Sequence, residues 1–124
     1  MAQRILVVED DPICQKVLVD FLSTWGYEVS AASNGVEGID EAMRVKPALV
    51  LCDVLLPRKS GFEVCFELKR APETRDVPVI FMSAVCNDAH ARNHAAVDLR
   101  AQGYFEKPFS LGAVLARIQQ LIGG

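Results

Sequence analysis

The sequence predicts an α/β fold, a doubly wound parallel sheet of five strand–helix units arranged as a three-layer sandwich. Short apolar runs alternate with longer stretches of helical period along the 124 residues, which is the pattern of repeated strand–helix units. Three of the runs, residues 5–8, 48–52 and 79–82, are continuously apolar, as strands covered by helices on both faces must be. Two more, residues 27–31 and 103–106, mix polar and apolar positions and are expected at the sheet edges.

The elements follow in order. After the first strand, Pro12 suits a first helical turn, and Ile13, Val17, Phe21 and Trp25 recur every fourth position as an apolar face before Gly26 stops the helix. Asn34-Gly35 opens the second helix beyond the second strand. Ser60 caps the third ahead of Phe62, Val64 and Leu68, and Ser110 caps the fifth ahead of Leu111, Val114, Leu115 and Ile118. Residues 87–102, rich in alanine, read as a fourth helix with a narrow apolar face. His90 and His94 lie four apart on it, but two ligands make no metal site, so they read as a solvated face. No repeat, linker or low-complexity run interrupts the chain, and Gly123-Gly124 forms a tail.

Composition narrows the function. A length of 124 residues predicts one domain, 1–124, with 51% hydrophobic residues to build a core, too apolar for disorder. Thirteen basic against sixteen acidic residues leave a net charge of −3, which argues against direct nucleic acid binding. No apolar stretch approaches the roughly 20 residues of a membrane span, and acids follow too soon for a signal peptide, so the expected localisation is cytoplasmic with no membrane partner. The cysteines at 14, 52, 65 and 86 form no CxxC pair and read as reduced packing residues.

In an open parallel sheet, ligands bind beyond the carboxyl ends of the strands, near the point where strand order reverses. The first strand runs into Glu9-Asp10-Asp11, the third into Asp53, the fourth into Ser83 and the fifth into Lys107. Taken singly, each has a bland reading: a cap for Asp11, a turn for Ser83, solvated surface for Lys107. Together they imply a site. Gathering Glu9, Asp10 and Asp53 carries repulsion of about 4 kcal/mol per pair at ~4 Å with an effective dielectric near 20. Either raised pKa values or a bound cation must offset that, and hard oxygen donors without a nearby histidine or cysteine favour Mg²⁺ over zinc. Metal, aspartate, lysine and hydroxyl are the parts for moving a phosphoryl group onto a carboxylate. No GxxxxGK[ST] or GxGxxG loop is present, so the phosphoryl group must come from another molecule.

At these positions the sequence resembles the receiver domain of two-component response regulators, the chemotaxis-regulator-like fold. The likeness rests on ILVVEDD, LCDVLLPRKSG, VIFMSA and GYFEKPF, in the family's order and across essentially the whole chain. It implies a flavodoxin-like sheet of strand order 2-1-3-4-5 and makes Asp53 the phosphoacceptor of a histidine kinase or histidine phosphotransfer protein. It implies Mg²⁺, with Mn²⁺ as a substitute, on Asp10, Asp53 and the Leu55 backbone carbonyl, with Glu9 acting through water. Ser83, the Ala84 backbone and Lys107 would bind the phosphoryl group, Ser83 and Tyr104 would switch, and the bond before Pro108 would be cis. Glu9 stands where many members carry Asp, and Leu56 where Met is frequent. The turn before the fifth strand reads RAQGY, and the fourth helical segment is long for the family.

The mechanism expected from this likeness is that phosphorylated Asp53 draws Ser83 and Lys107 toward it. Tyr104 then turns inward, and the face of helix 4, strand 5 and helix 5 changes to regulate a protein partner. Leu55 and Val85 flank the approach of a hydrolytic water and are apolar, which predicts slow self-dephosphorylation. An aspartyl phosphatase is a rival reading, but Val54 and Leu55 follow Asp53 where a second acid is needed. In a flavin-binding module, the acidic first loop would repel the phosphate. With no output domain after the fifth helix, the expectation is a stand-alone receiver, or one cut from a DNA-binding regulator or hybrid histidine kinase.

Overall fold

The computed structural model describes residues 2–84 and 94–123, with backbone only at 96 and 97. In chain order they form β1 (Arg4–Val8), α1 (Pro12–Thr24), β2 (Glu28–Ala32), α2 (Gly35–Val45), β3 (Leu49–Asp53), α3 (Gly61–Arg70), β4 (Val79–Ser83), a single π-helical turn (His94–Asp98), β5 (Gly103–Glu106) and α4 (Leu111–Ile122). The five strands are parallel in the order β2-β1-β3-β4-β5, a flavodoxin-like sheet. Because β1 pairs with both β2 and β3, the order reverses there and a crevice opens at their carboxyl ends.

Strand side chains alternate between two cores. Leu6, Val8, Val50, Cys52 and Phe81 pack against α2 and α3 through Ala42, Val64 and Leu68. Ile5, Val7, Leu49, Leu51, Ile80 and Met82 point the other way, onto Leu18 and Leu22 of α1 and Val114 and Ile118 of α4. Each such large side chain contributes about 1.5–3 kcal/mol on burial, which is why the central runs carry no polar residue until their last position. Asp11, Asn34, Ser60 and Ser110 cap the four α-helices, and Ser60 forms a reciprocal capping box with Glu63. No helix among the described residues is long and apolar enough to cross a membrane.

Three expectations need correction. The stripe drawn along α1 is largely the wrong one: Ile13, Val17 and Trp25 are exposed, and Leu18 and Leu22 are buried. Gln15 sets this rotation, because its side-chain amide donates to the carbonyls of Glu9 (2.9 Å) and Ala32 (3.2 Å) and so anchors the helix to the strand ends. β2 runs one residue later than expected. Tyr27 belongs to the end of the helix, with its amide on the Leu22 carbonyl and its hydroxyl donating to Gly123 at 2.8 Å. Of the fourth expected helix, 87–93, including His90, lie outside the described residues. The remainder stops at Asp98 instead of running to Gln102, because Gln102 joins the sheet: its amide donates to Val79 O and its side-chain oxygen accepts from Val79 N, both at 2.8 Å.

Candidate functional site

Polar residues meet where the apolar strands stop. Asp53 is the last residue of β3 and Ser83 the last of β4, Glu9 and Asp10 follow β1, and Lys107 follows β5. The Glu9 amide extends the β1–β2 ladder by donating to Ala32 O at 3.0 Å, and the Lys107 amide extends the β4–β5 ladder by donating to Ser83 O at 2.7 Å. The Lys107–Pro108 peptide bond is cis. Gly61 closes the floor of the site, since a Cβ there would lie 2.2 Å from the carbonyl oxygen of Asp53. Only glycine permits that approach.

Carboxylate oxygens of Glu9, Asp10 and Asp53 lie within 4.8 Å of one another. Glu9 and Asp53 are buried, and Asp10 is exposed at the mouth. The Lys107 ammonium sits between the two buried acids, donating to Asp53 Oδ2 at 2.9 Å and to Glu9 Oε1. Asp53 Oδ1 accepts from the Leu55 amide at 3.2 Å. Glu9 Oε2 accepts from the Asp11 amide at 3.2 Å, and Asp11 itself caps α1 through the Ile13 amide. The lysine expected across the site is thus the cluster's internal counter-ion.

One ammonium does not balance the buried acids. Burial, then the hydrogen-bonded Glu9 carboxyl, push the Asp53 pKa from 3.8 up to about 6, with Lys107 pulling the other way. Burial disfavours the charge on Lys107 as well, but its bonds to Glu9 and Asp53 outweigh this and hold it above the usual lysine range. The donor set fits a hard divalent cation. It offers oxygens only, it carries excess negative charge, and one acid faces the opening while two are fixed by the backbone.

The structure therefore brings together Glu9, Asp10, Asp53 and Lys107, with Leu55 bonded to Asp53 and Ser83 and Ala84 at the adjoining end of β4. Tyr104 stands apart on β5, half-buried, with its ring edge-on to Phe81 at 6.2 Å. His94 belongs to the π-helical turn, paired with Asp98 at 2.9 Å and edge-on to Phe62. Val85 and Cys86 lie outside the described residues. The other three cysteines are free thiols. Cys14 contacts the site from α1, and burial with Glu9 beside it pushes that thiol up to about 12, so it stays protonated. Sequence reasoning missed Gln15, Cys14 and Gly61. For Gly61, the only sign is a glycine directly after a capping serine.

Comparison with known proteins converges on one family. A model of the response regulator receiver domain matches residues 5–119. The response regulator MprA of Mycobacterium sp. (strain KMS) is 38% identical over 122 residues, 98% of this chain and 51% of that protein. The DNA-binding dual master transcriptional regulator RpaA of Synechocystis is 34% identical over 119 residues, 96% of this chain and 48% of that protein. The chain thus spans about half the length of these curated relatives. Among solved structures, the receiver domain of the sensor histidine kinase PA1611 from Pseudomonas aeruginosa matches with a TM-score of 0.88 and 28% identity, covering 100% of both chains, and that protein holds a magnesium ion in its active site cleft. With an acidic pocket at the carboxyl edge of a 2-1-3-4-5 sheet and a family match across nearly its full length, this chain belongs to the response regulator receiver domains.

Proposed function

We propose that Asp53 is the phosphoacceptor of a two-component phosphorelay, supplied by a histidine kinase or histidine phosphotransfer protein. The observation that carries this reading is the Asp53 carboxylate, buried among acids and bonded to Lys107 at 2.9 Å, at the end of β3. An Asp53 oxygen forms the new P–O bond as the P–N bond to the donor imidazole breaks, and the bonding pair returns to the ring nitrogen. Asp10, Asp53 and the Leu55 carbonyl, with Glu9 behind them, would hold Mg²⁺, which supplies charge neutralisation to the equatorial phosphoryl oxygens. Lys107 moves from its bonds with the acids to the new oxygens, and the Ser83 hydroxyl and Ala84 amide donate to the same group. Tyr104 then turns toward the space Ser83 leaves. This changes the face of β5, α4 and the preceding helical segment to regulate a protein partner.

The test is intact-mass spectrometry after incubation with acetyl phosphate and Mg²⁺. The expected result is the gain of one phosphoryl group, lost on chelation and in Asp53→Asn. Unaltered uptake in Asp53→Asn overturns the acceptor assignment. A second reading concerns the whole protein. MprA and RpaA are each about twice as long as the matched region, and RpaA is a DNA-binding regulator, which favours this domain acting as the receiver of a longer, DNA-binding regulator. The coding sequence beyond Gly124 tests it.

A further inference from the structure

The amino ends of the strands carry a second charged site, of opposite sign. A cavity of about 460 Å³ opens there, lined by Lys69, Arg75, Asp76, Arg100 and Gln102. It lies at the start of β4 and β5, whereas Asp53, Ser83 and Lys107 lie at the carboxyl ends of their strands. Three cations face a single carboxylate in a chain whose net charge is −3.

Among the described residues, these three cations make no ion pair, unlike five others of the chain. Arg4, Lys16, Arg44, Lys59 and Lys107 are all in ion pairs. Among the described residues, Arg75 and Arg100 make no side-chain hydrogen bond and no ion pair, and Lys69 donates only to the carbonyl of Val77, at 2.7 Å. Lys69 is half-buried, and desolvation together with the like charge of Arg100 holds its pKa below the usual lysine range. Asp76 relieves that only in part.

The frame is built rather than loose. Buried Thr74 ties the α3–β4 loop to the end of α3 by donating from its hydroxyl to Leu68 O at 2.7 Å, and the Arg75 amide closes a turn onto Ala71 O at 2.9 Å. On the other wall, Gln102 is bonded to Val79 through both backbone and side chain, and its carbonyl accepts from Arg117 Nε at 2.8 Å. Arg100 is held left-handed, at φ 58, a conformation unfavourable for a residue with a Cβ.

We propose that this cavity is an anion site for a phosphate dianion, free or as the phosphomonoester of a small molecule. Two unpaired guanidinium groups offer planar forks that match phosphate oxygens, and the Lys69 ammonium adds a charge from the cavity wall. The volume accommodates a small metabolite around the phosphate. The proposal does not depend on Asp53 being a phosphoacceptor.

The test is a titration of the full chain with inorganic phosphate in EDTA at constant ionic strength, followed by amide NMR. Saturable shifts at Arg75, Asp76, Arg100 and Gln102 are expected, weakened roughly tenfold or more in R75Q/R100G, where glycine keeps the left-handed backbone. Asp76→Asn is expected to tighten binding several-fold, a gain that misfolding cannot mimic. Glycerol 3-phosphate in a second arm distinguishes the sources: tighter binding marks a phosphomonoester, weaker saturable binding marks free phosphate. Shifts that grow without saturation, that centre on Asp53 and Lys107, that persist in R75Q/R100G, or that are stronger with citrate than with either phosphate overturn the proposal.

Discussion

The two ends of the sheet handle charge in opposite ways. At the carboxyl end, Glu9 and Asp53 are buried and share the Lys107 ammonium, so an excess of negative charge is held in place by backbone that ends three strands at one spot. At the amino end, Lys69, Arg75 and Arg100 stand around open space with Asp76 as the one carboxylate in the lining and with no ion pair among the described residues. The first arrangement creates demand for a cation and a reactive carboxylate; the second creates demand for an anion. Unpaired charge is costly in proportion to its burial, so the carboxyl end dominates both stability and chemistry.

The largest effect that would break this contrast is chemical. Asp53→Asn is expected to abolish phosphoryl uptake from acetyl phosphate, and R75Q/R100G to retain it fully. Loss of uptake in the double arginine variant, measured by intact mass, would show that the two ends are one functional unit. Next in size is Lys107→Met, which leaves two buried carboxylates facing each other. It is expected to lower the unfolding free energy by about 3 kcal/mol at neutral pH, with part recovered on adding Mg²⁺. Urea denaturation with and without the metal checks both. A shift under about 0.5 kcal/mol, typical of an exposed ion pair, would remove the claim that this lysine is the cluster's counter-ion.

The acid cluster also dictates a pH dependence. The folded-state pKa of Asp53, about 6, lies above its ordinary 3.8, so the folded chain holds this proton more tightly than the unfolded chain does. The contribution to stability is present in full below the ordinary value and is lost as pH rises through about 6. Asp53→Asn should flatten that decline and, in EDTA at pH 7, exceed the parent by roughly 1–3 kcal/mol. Saturating Mg²⁺ should cancel or reverse the order, because only the parent keeps the full donor set. Parallel pH profiles for the two proteins, from denaturation at a series of pH values, would contradict the assignment.

The carboxyl end was legible in the sequence and the amino end was not, for a physical reason. Continuous apolar runs fix where the three central strands stop, and the polar residue after each run, Glu9, Asp53 or Ser83, must sit on the same rim of a parallel sheet. Lys107 joins that rim by following the mixed edge strand. The basic cavity is assembled from α3, the α3–β4 loop and the approach to β5, whose relative placement no local pattern encodes. For the same reason the end of the fourth helix was misread, since alanine-rich propensity is local and the capture of Gln102 by Val79 is not. The supports Gln15 and Gly61 act on backbone carbonyls, which leave no trace in side-chain pattern.

A smaller effect concerns how long the carboxyl end keeps its charge. Leu55 is exposed beside the Asp53 carboxylate and has no group to orient a water. Leu55→Asn with Val85→Glu is expected to shorten the lifetime of the phosphorylated form by about tenfold, at the low end of what a positioned polar group supplies. An unchanged decay of the mass-shifted species would show that water access, not water orientation, sets the rate.

The smallest effects are expected on the exposed stripe of α1, the element that runs from one rim toward the other, and they are set against its buried stripe. Its apolar residues fall into two adjoining stripes, and periodicity alone cannot say which one faces the sheet. Leu22→Ala, in the buried stripe, should cost about 2–5 kcal/mol through lost burial and a residual cavity. Ile13→Ser and Trp25→Ser, at 75% and 52% exposure, should each stay within about 0.5 kcal/mol of the parent. If Ile13→Ser proved as damaging as Leu22→Ala in the same urea titration, the helix would be rotated from the position that Gln15 imposes. Gln15 would then no longer bridge Glu9 and Ala32, and the backbone that aims Glu9 into the acid cluster would lose its anchor.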